Sequence, residues 1–166
     1  MNKILVAQTD ELVIIKMIGN IKYTEFKGFE FFISELLEDE NLKDGLIDLT
    51  ENESIDSTNL GIIARLAVTI LQKTEKKITV LCPNINIRKI LESIGFEAIM
   101  NITDSTNRDN FKFDELKDIN PDRKKELEIV LDAHKTLSEL NQVNEKNFKK
   151  VVEYLQTEYE TEKHKH

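Results

Sequence analysis

The stretch "GLIDLTENESIDSTNLGIIARLAVTILQ", residues 45–72, decides how the chain folds. It opens on "GLIDLT", a short apolar run with Asp48 inside it, the pattern of a buried strand. The polar turn "ENES" and Ile55 follow, and then Asp56, Ser57 and Thr58 in succession. From there apolar residues recur at intervals of three and four, which predicts a helix from about Ser57 to Thr74. Leu60, Ile63, Ala64, Ala67 and Leu71 mark one face, suited to packing on a sheet. Ile62 and Leu66, with Thr69 in line, mark a second face. A helix apolar on two faces is buried twice. Either a later part of the chain or a protein partner covers the second.

Upstream, residues 3–8 and 11–18 are rich in strand formers and read as a hairpin turning at Thr9–Glu11. Phe26, Phe29, Ile33, Leu36 and Leu37 then space an amphipathic helix, with Thr24 as its expected cap and Gly28 as a helix-weakening residue inside it. Downstream, "KKITVLCP" predicts a buried strand stopped by Pro83. "NINIRKILESIG" predicts a helix with Ile87, Ile90, Leu91 and Ile94 on one stripe, and "FEAIMNI" predicts a closing strand or edge. Strands alternate with helices after the first hairpin, so the expected class is α/β, a mixed sheet with helices packed on it.

Past Thr103 the pattern weakens. Residues 105–119 read as a polar linker with one short helix around Asp114, between a domain at 1–104 and an extension at 120–163. In the extension Asn120 stands as a cap and Pro121 at the first helical position. Leu127, Val130, Leu131, His134, Leu137 and Leu140 trace one apolar stripe, and Phe148, Val151, Val152, Leu155 and Tyr159 trace another. Two stripes joined by a short turn predict a helical hairpin. The tail "TEKHKH" is expected to fray.

Composition narrows the function. The 166 residues carry a formal net charge of −8, which leaves no basic excess for sequence-independent nucleic-acid binding. No run approaches the roughly 20 apolar residues a membrane span needs. The single cysteine, Cys82, forms no internal disulfide, reads as a small core hydrophobe and fits a reducing compartment, so a cytoplasmic protein is expected. No phosphate-cradling loop, zinc-ligand spacing or nucleophile elbow is present in the sequence. His134 reads as a core or boundary histidine, and His164 and His166 lack a third fixed ligand. No catalytic residue, metal site or cofactor is expected.

At residues 45–72 the sequence resembles the STAS family, whose bacterial members include anti-sigma factor antagonists. Leu46, Ile47, Asp48, Leu49 and Thr50 match its central strand; Ile55, Asp56, Ser57, Thr58, Leu60 and Gly61 match its "Asp-Ser" junction. "ITVLCPNINIRKILESIGFEAIM" resembles the strand, turn and helix that follow, and the likeness covers about residues 1–104. The resemblance implies a STAS-like mixed β-sheet with helices mainly on one face, here with the C-terminal helical hairpin added. It also implies that Ser57, the serine after the aspartate, is phosphorylated by a partner kinase and dephosphorylated by a serine phosphatase. Two positions depart from the pattern. Asn59 stands where the family has glycine, and asparagine tolerates unusual backbone angles. Lys22 stands where an acid or amide is usual after the second strand.

The junction admits two readings that do not exclude each other. Asp56 or Ser57 caps the helix, accepting orphan N–H bonds. A phosphate at a helix start is also tolerated, because free N–H donors and the dipole favour negative charge there. Thr58 is the alternative acceptor and otherwise an ordinary first-turn residue. Asp48, Glu51, Glu53 and Asp56 read as an acidic rim of solvated loop charge.

The expected function is a non-enzymatic, phosphorylation-controlled partner switch, binding an anti-sigma factor or serine kinase when Ser57 is free. Asp56, Ser57, Thr58, Asn59, Ile62 and Leu66 form the expected partner-binding set. The alternatives are a ligand- or nucleotide-sensing module, or a scaffold that dimerises through its C-terminal helices, both without phosphorylation.

Overall fold

The computed structural model describes residues 1–106 and 111–165. Strands β1 (Lys3–Gln8) and β2 (Leu12–Ile21) form the expected antiparallel hairpin. Helix α1 (Gly28–Glu38) follows, then β3 (Asp44–Asp48), β4 (Asn52–Ile55) and α2 (Ser57–Thr74). Strand β5 (Ile78–Leu81), α3 (Ile85–Ser93) and β6 (Met100–Thr103) complete the alternating part. Beyond it come β7 (Asp114–Glu115), α4 (Arg123–Ser138) and α5 (Gln142–Lys163).

The sheet runs β6-β5-β3-β2-β1-β7, parallel from β2 through β6 and antiparallel at both β1 pairings. Its two faces differ because side chains alternate along each strand. Val13, Ile15, Met17, Ile47, Ile78 and Val80 face the helices in the main core. Ile14, Leu46 and Leu81 point the other way, where Leu12, Phe111 and Phe113 pack against them. The helices thus lie on one face, and aromatic residues of the connecting segment dress the opposite one. Among the described residues, no helix is long and apolar enough to cross a membrane.

Several local expectations are corrected. "ENES" is not only a turn: Asn52–Ile55 pair in parallel with the end of β2, with a register shift between Gly19 and Asn20. The Asn52 side chain donates to the carbonyls of Gly19 and Ser54 at 3.0 Å, replacing ladder bonds that the shift interrupts. Thr24 does not cap α1; it lies in a short 3-10 turn, and α1 begins at Gly28. Gly28 is there because the connection to α4 crosses it: a Cβ would collide with the carbonyl oxygen of Lys117. Around Asp114 the chain forms a two-residue strand on the edge of β1 rather than a helix. Asp122, not Asn120, caps α4, accepting from Lys125 N at 2.8 Å. Finally, the tail expected to fray is helical through Lys163, whereas His166 lies outside the described residues.

Candidate functional site

The site grows from the strand-to-helix junction read first in the sequence. Asp56 N donates to Ile21 O at 3.1 Å, tying the junction to the end of β2. The Asp56 carboxylate then works in two directions. Its Oδ1 accepts from Asn59 N at 3.0 Å and from Asn59 Nδ2 at 2.9 Å, and its Oδ2 accepts from Tyr23 N at 2.6 Å. Asp56 is therefore the cap of α2, satisfying one of the helix's orphan donors. Ser57, the first helical residue, is spared that duty.

The Ser57 hydroxyl instead meets the C-terminal extension. Its Oγ lies 2.9 Å from Nε2 of His134 on α4, in a partly buried setting. Nδ1 of the same ring lies 2.7 Å from the carbonyl oxygen of Val130. A carbonyl oxygen only accepts, so Nδ1 carries the proton. In the neutral ring Nε2 is then the acceptor, and Ser57 donates to it. The edge of the ring packs on Phe148 of α5, with centroids 6.0 Å apart.

Helix α4 is also what covers the second face of α2. A Cβ on Gly61 would stand 2.8 Å from Cα of Ala133 and 2.6 Å from its carbonyl carbon, closer than side chains tolerate. The two helix backbones meet at that point because position 61 has no side chain. Ile129, Ala133 and Leu137 join the main core from the α4 side, alongside Ile62 and Leu66.

The remaining expected residues are placed as follows. Thr58 is 7% exposed and Asn59 is fully buried. Asn59 sits in ordinary helical backbone, since among described non-glycine residues only Glu75 has a positive φ. Its role is the bond to Asp56, not tolerance of unusual angles. Ile62 and Leu66 are 2% and 0% exposed. Lys22 is exposed beside the junction.

The acidic rim does not form as a rim. Asp48 is buried, accepting from Thr50 N and Thr50 Oγ1 at 3.0 and 2.7 Å. Glu51 pairs with Lys16 at 2.5 Å, and Glu53 accepts from Asn20 at 3.0 Å. No group of residues among those described is arranged to hold a metal ion.

Beside the junction, Tyr23 is buried, and its phenol is pushed up to about 12 by that burial, with the carboxylates of Glu126 and Glu30 adding to the effect. Burial likewise raises the Cys82 thiol, and its Sγ lies 3.6 Å from Asn84 O. Cys82 is a core residue, as its sequence setting suggested. Sequence reasoning missed the meeting of His134 with Ser57. The available signal was a histidine on an otherwise aliphatic stripe, which requires a polar partner once buried.

Comparison with known proteins agrees with the fold. A family profile described as the STAS domain matches residues 3–108. Among solved structures, the anti-sigma factor antagonist SpoIIAA in its unphosphorylated form aligns with a TM-score of 0.51 at 16% identity. That alignment covers 64% of this chain and 90% of the other. The Bacillus cell fate determinant SpoIIAA in its phosphorylated form aligns at 0.50, also at 16% identity, covering 60% and 90%. No curated protein matches the chain by sequence. With its profile match spanning more than half the sequence and its sheet and helices arranged accordingly, the chain belongs to the STAS domain family.

Proposed function

We propose that this protein is a phosphorylation-controlled regulator that binds a protein partner through the start of α2, with Ser57 as the phosphoacceptor. The observation that carries this reading is the division of labour at the junction. Asp56 alone caps the helix, so the Ser57 hydroxyl can be modified without removing the cap. Phosphate would add about −1.5 to −2 charges beside the Asp56 carboxylate, at a helix start whose N–H groups tolerate an anion. The domain stays folded while its surface charge changes sign of appeal to a partner.

The partner is of the anti-sigma factor or serine kinase class, bound when Ser57 carries no phosphate, with a serine phosphatase restoring that state. The structural neighbours support this choice, since SpoIIAA is an anti-sigma factor antagonist solved both with and without phosphate. The protein acts by binding rather than by catalysis, in the cytoplasm, on the output of a transcriptional signalling path.

Incubation with the cognate kinase, followed by intact-mass measurement, tests the acceptor. Wild type should gain one phosphate and Ser57→Ala none. Equal uptake by both would remove Ser57 from the reading.

A further inference from the structure

In the closed structure, the face of α2 that a partner would use is already taken. Gly61, Ile62 and Arg65 of α2 meet Asp132, Ala133 and Thr136 of α4 around a cavity of only about 10 Å³. The hairpin packs Ile129, Ala133 and Leu137 into the main core, and three separated polar contacts among the described residues also tie it to the rest of the domain. Lys27 pairs with Glu126, Ser57 bonds His134, and Asn144 Nδ2 donates to Ile94 O at 2.8 Å.

The seam is well packed but imperfectly satisfied. Arg65 Nε is buried without a hydrogen-bond partner, while Nη1 of the same side chain pairs with Glu30 of α1 at 2.8 Å. The connection is tied to β1 by β7 and by Leu116 N donating to Ile4 O at 3.0 Å. Residues 117–122 then lead into α4, crossing α1 where the Lys117 carbonyl lies over Gly28.

We propose that the α4–α5 hairpin is a releasable cap. It lifts from α2 as one unit while the sheet and α1–α3 stay folded, and only the lifted form presents Ser57 and Ile62 to another protein. Its regulatory use rests on the reading of Ser57 as the phosphoacceptor, whereas the release does not. A protein that docks on α2 competes with α4 for the same ground around Gly61 and Ile62. Release is therefore set by the balance between hairpin packing and partner binding, a population shift between two states.

Two measurements on the full-length protein test this without phosphate or partner. In wild-type hydrogen exchange, the amides of α4 and α5 should exchange together, at least tenfold faster than those of β2 and β3. In an Ile62→Cys protein on a Cys82→Ala background, the thiol should react slowly with DTNB. Adding Leu137→Asp should raise that rate at least tenfold with β2 and β3 still protected.

Exchange of α4 and α5 only at the rate of β2 and β3 would overturn the proposal, as would labelling unmoved by a folded Leu137→Asp protein. If Leu137→Asp does not fold, the wild-type exchange decides alone. Failure of Ser57 to take phosphate would leave both rates unchanged, so the two readings fall separately.

Discussion

Ser57 Oγ and His134 Nε2 lie 2.9 Å apart although 77 positions separate them in sequence, and that bond joins the STAS domain to its C-terminal hairpin. The carbonyl of Val130 holds the proton on Nδ1, leaving Nε2 to accept from the serine. His134 is 6% exposed, so it is both a hydrogen-bond acceptor and a packed side chain. Replacing it by alanine should weaken hairpin docking by about 1–3 kcal/mol, the loss of a buried bond plus a partly refilled space. Hydrogen exchange confined to α4 and the first turn of α2 measures it, and unchanged protection there would contradict the structural role.

The cap makes a contrasting prediction within two adjacent residues. Asp56→Ala loses the helix cap and the bond to Tyr23 N, and should cost about 2–3 kcal/mol in urea unfolding. Ser57→Ala loses only one hydrogen bond, for about 1 kcal/mol. The reverse order would show that the serine, not the aspartate, caps α2.

Gly61→Ala should destabilise the protein by about 1–3 kcal/mol, because the new Cβ meets the backbone of Ala133. Since the clash is with the main chain, Ala133→Gly should not rescue it. Full recovery in the double variant, measured by thermal unfolding, would place the contact on the Ala133 methyl instead.

Tyr23 provides a pH signature. Its folded value of about 12 lies above the ordinary 10.0, so the folded state keeps the proton where the unfolded state loses it. Stability should accordingly fall as pH rises from about 10 towards 12, the direction linkage requires when the native state binds more protons. Ultraviolet titration should show Tyr23 ionising well above the ordinary 10.0. Ionisation of Tyr23 at the ordinary value in the folded protein would contradict its burial.

The sequence made the alternating order, the 57–74 helix and the hairpin readable because each rests on apolar periodicity over many residues. Short elements were not readable in the same way. The four residues of β4 pair with β2 through their backbone, and a polar "ENES" gives no pattern to betray it. The two residues of β7 are likewise held by Leu5 and Val6, not by their own composition. Within α4 the traced stripe omitted Ile129 and Ala133, which are buried with α2 in the main core. Two buried faces on one helix blur into each other in a linear reading. The same limit hid the partner of Ser57, since nothing local in "SIDSTNLG" points to residue 134.

Fragment-ion mapping of phosphate on the full-length protein isolated from its native cell tests the central claim most directly. The account predicts that part of the population carries phosphate on Ser57 and that the buried Thr58 carries none. Phosphate located on Thr58, or a Ser57 that stays unmodified under conditions that activate the cognate kinase, would contradict it.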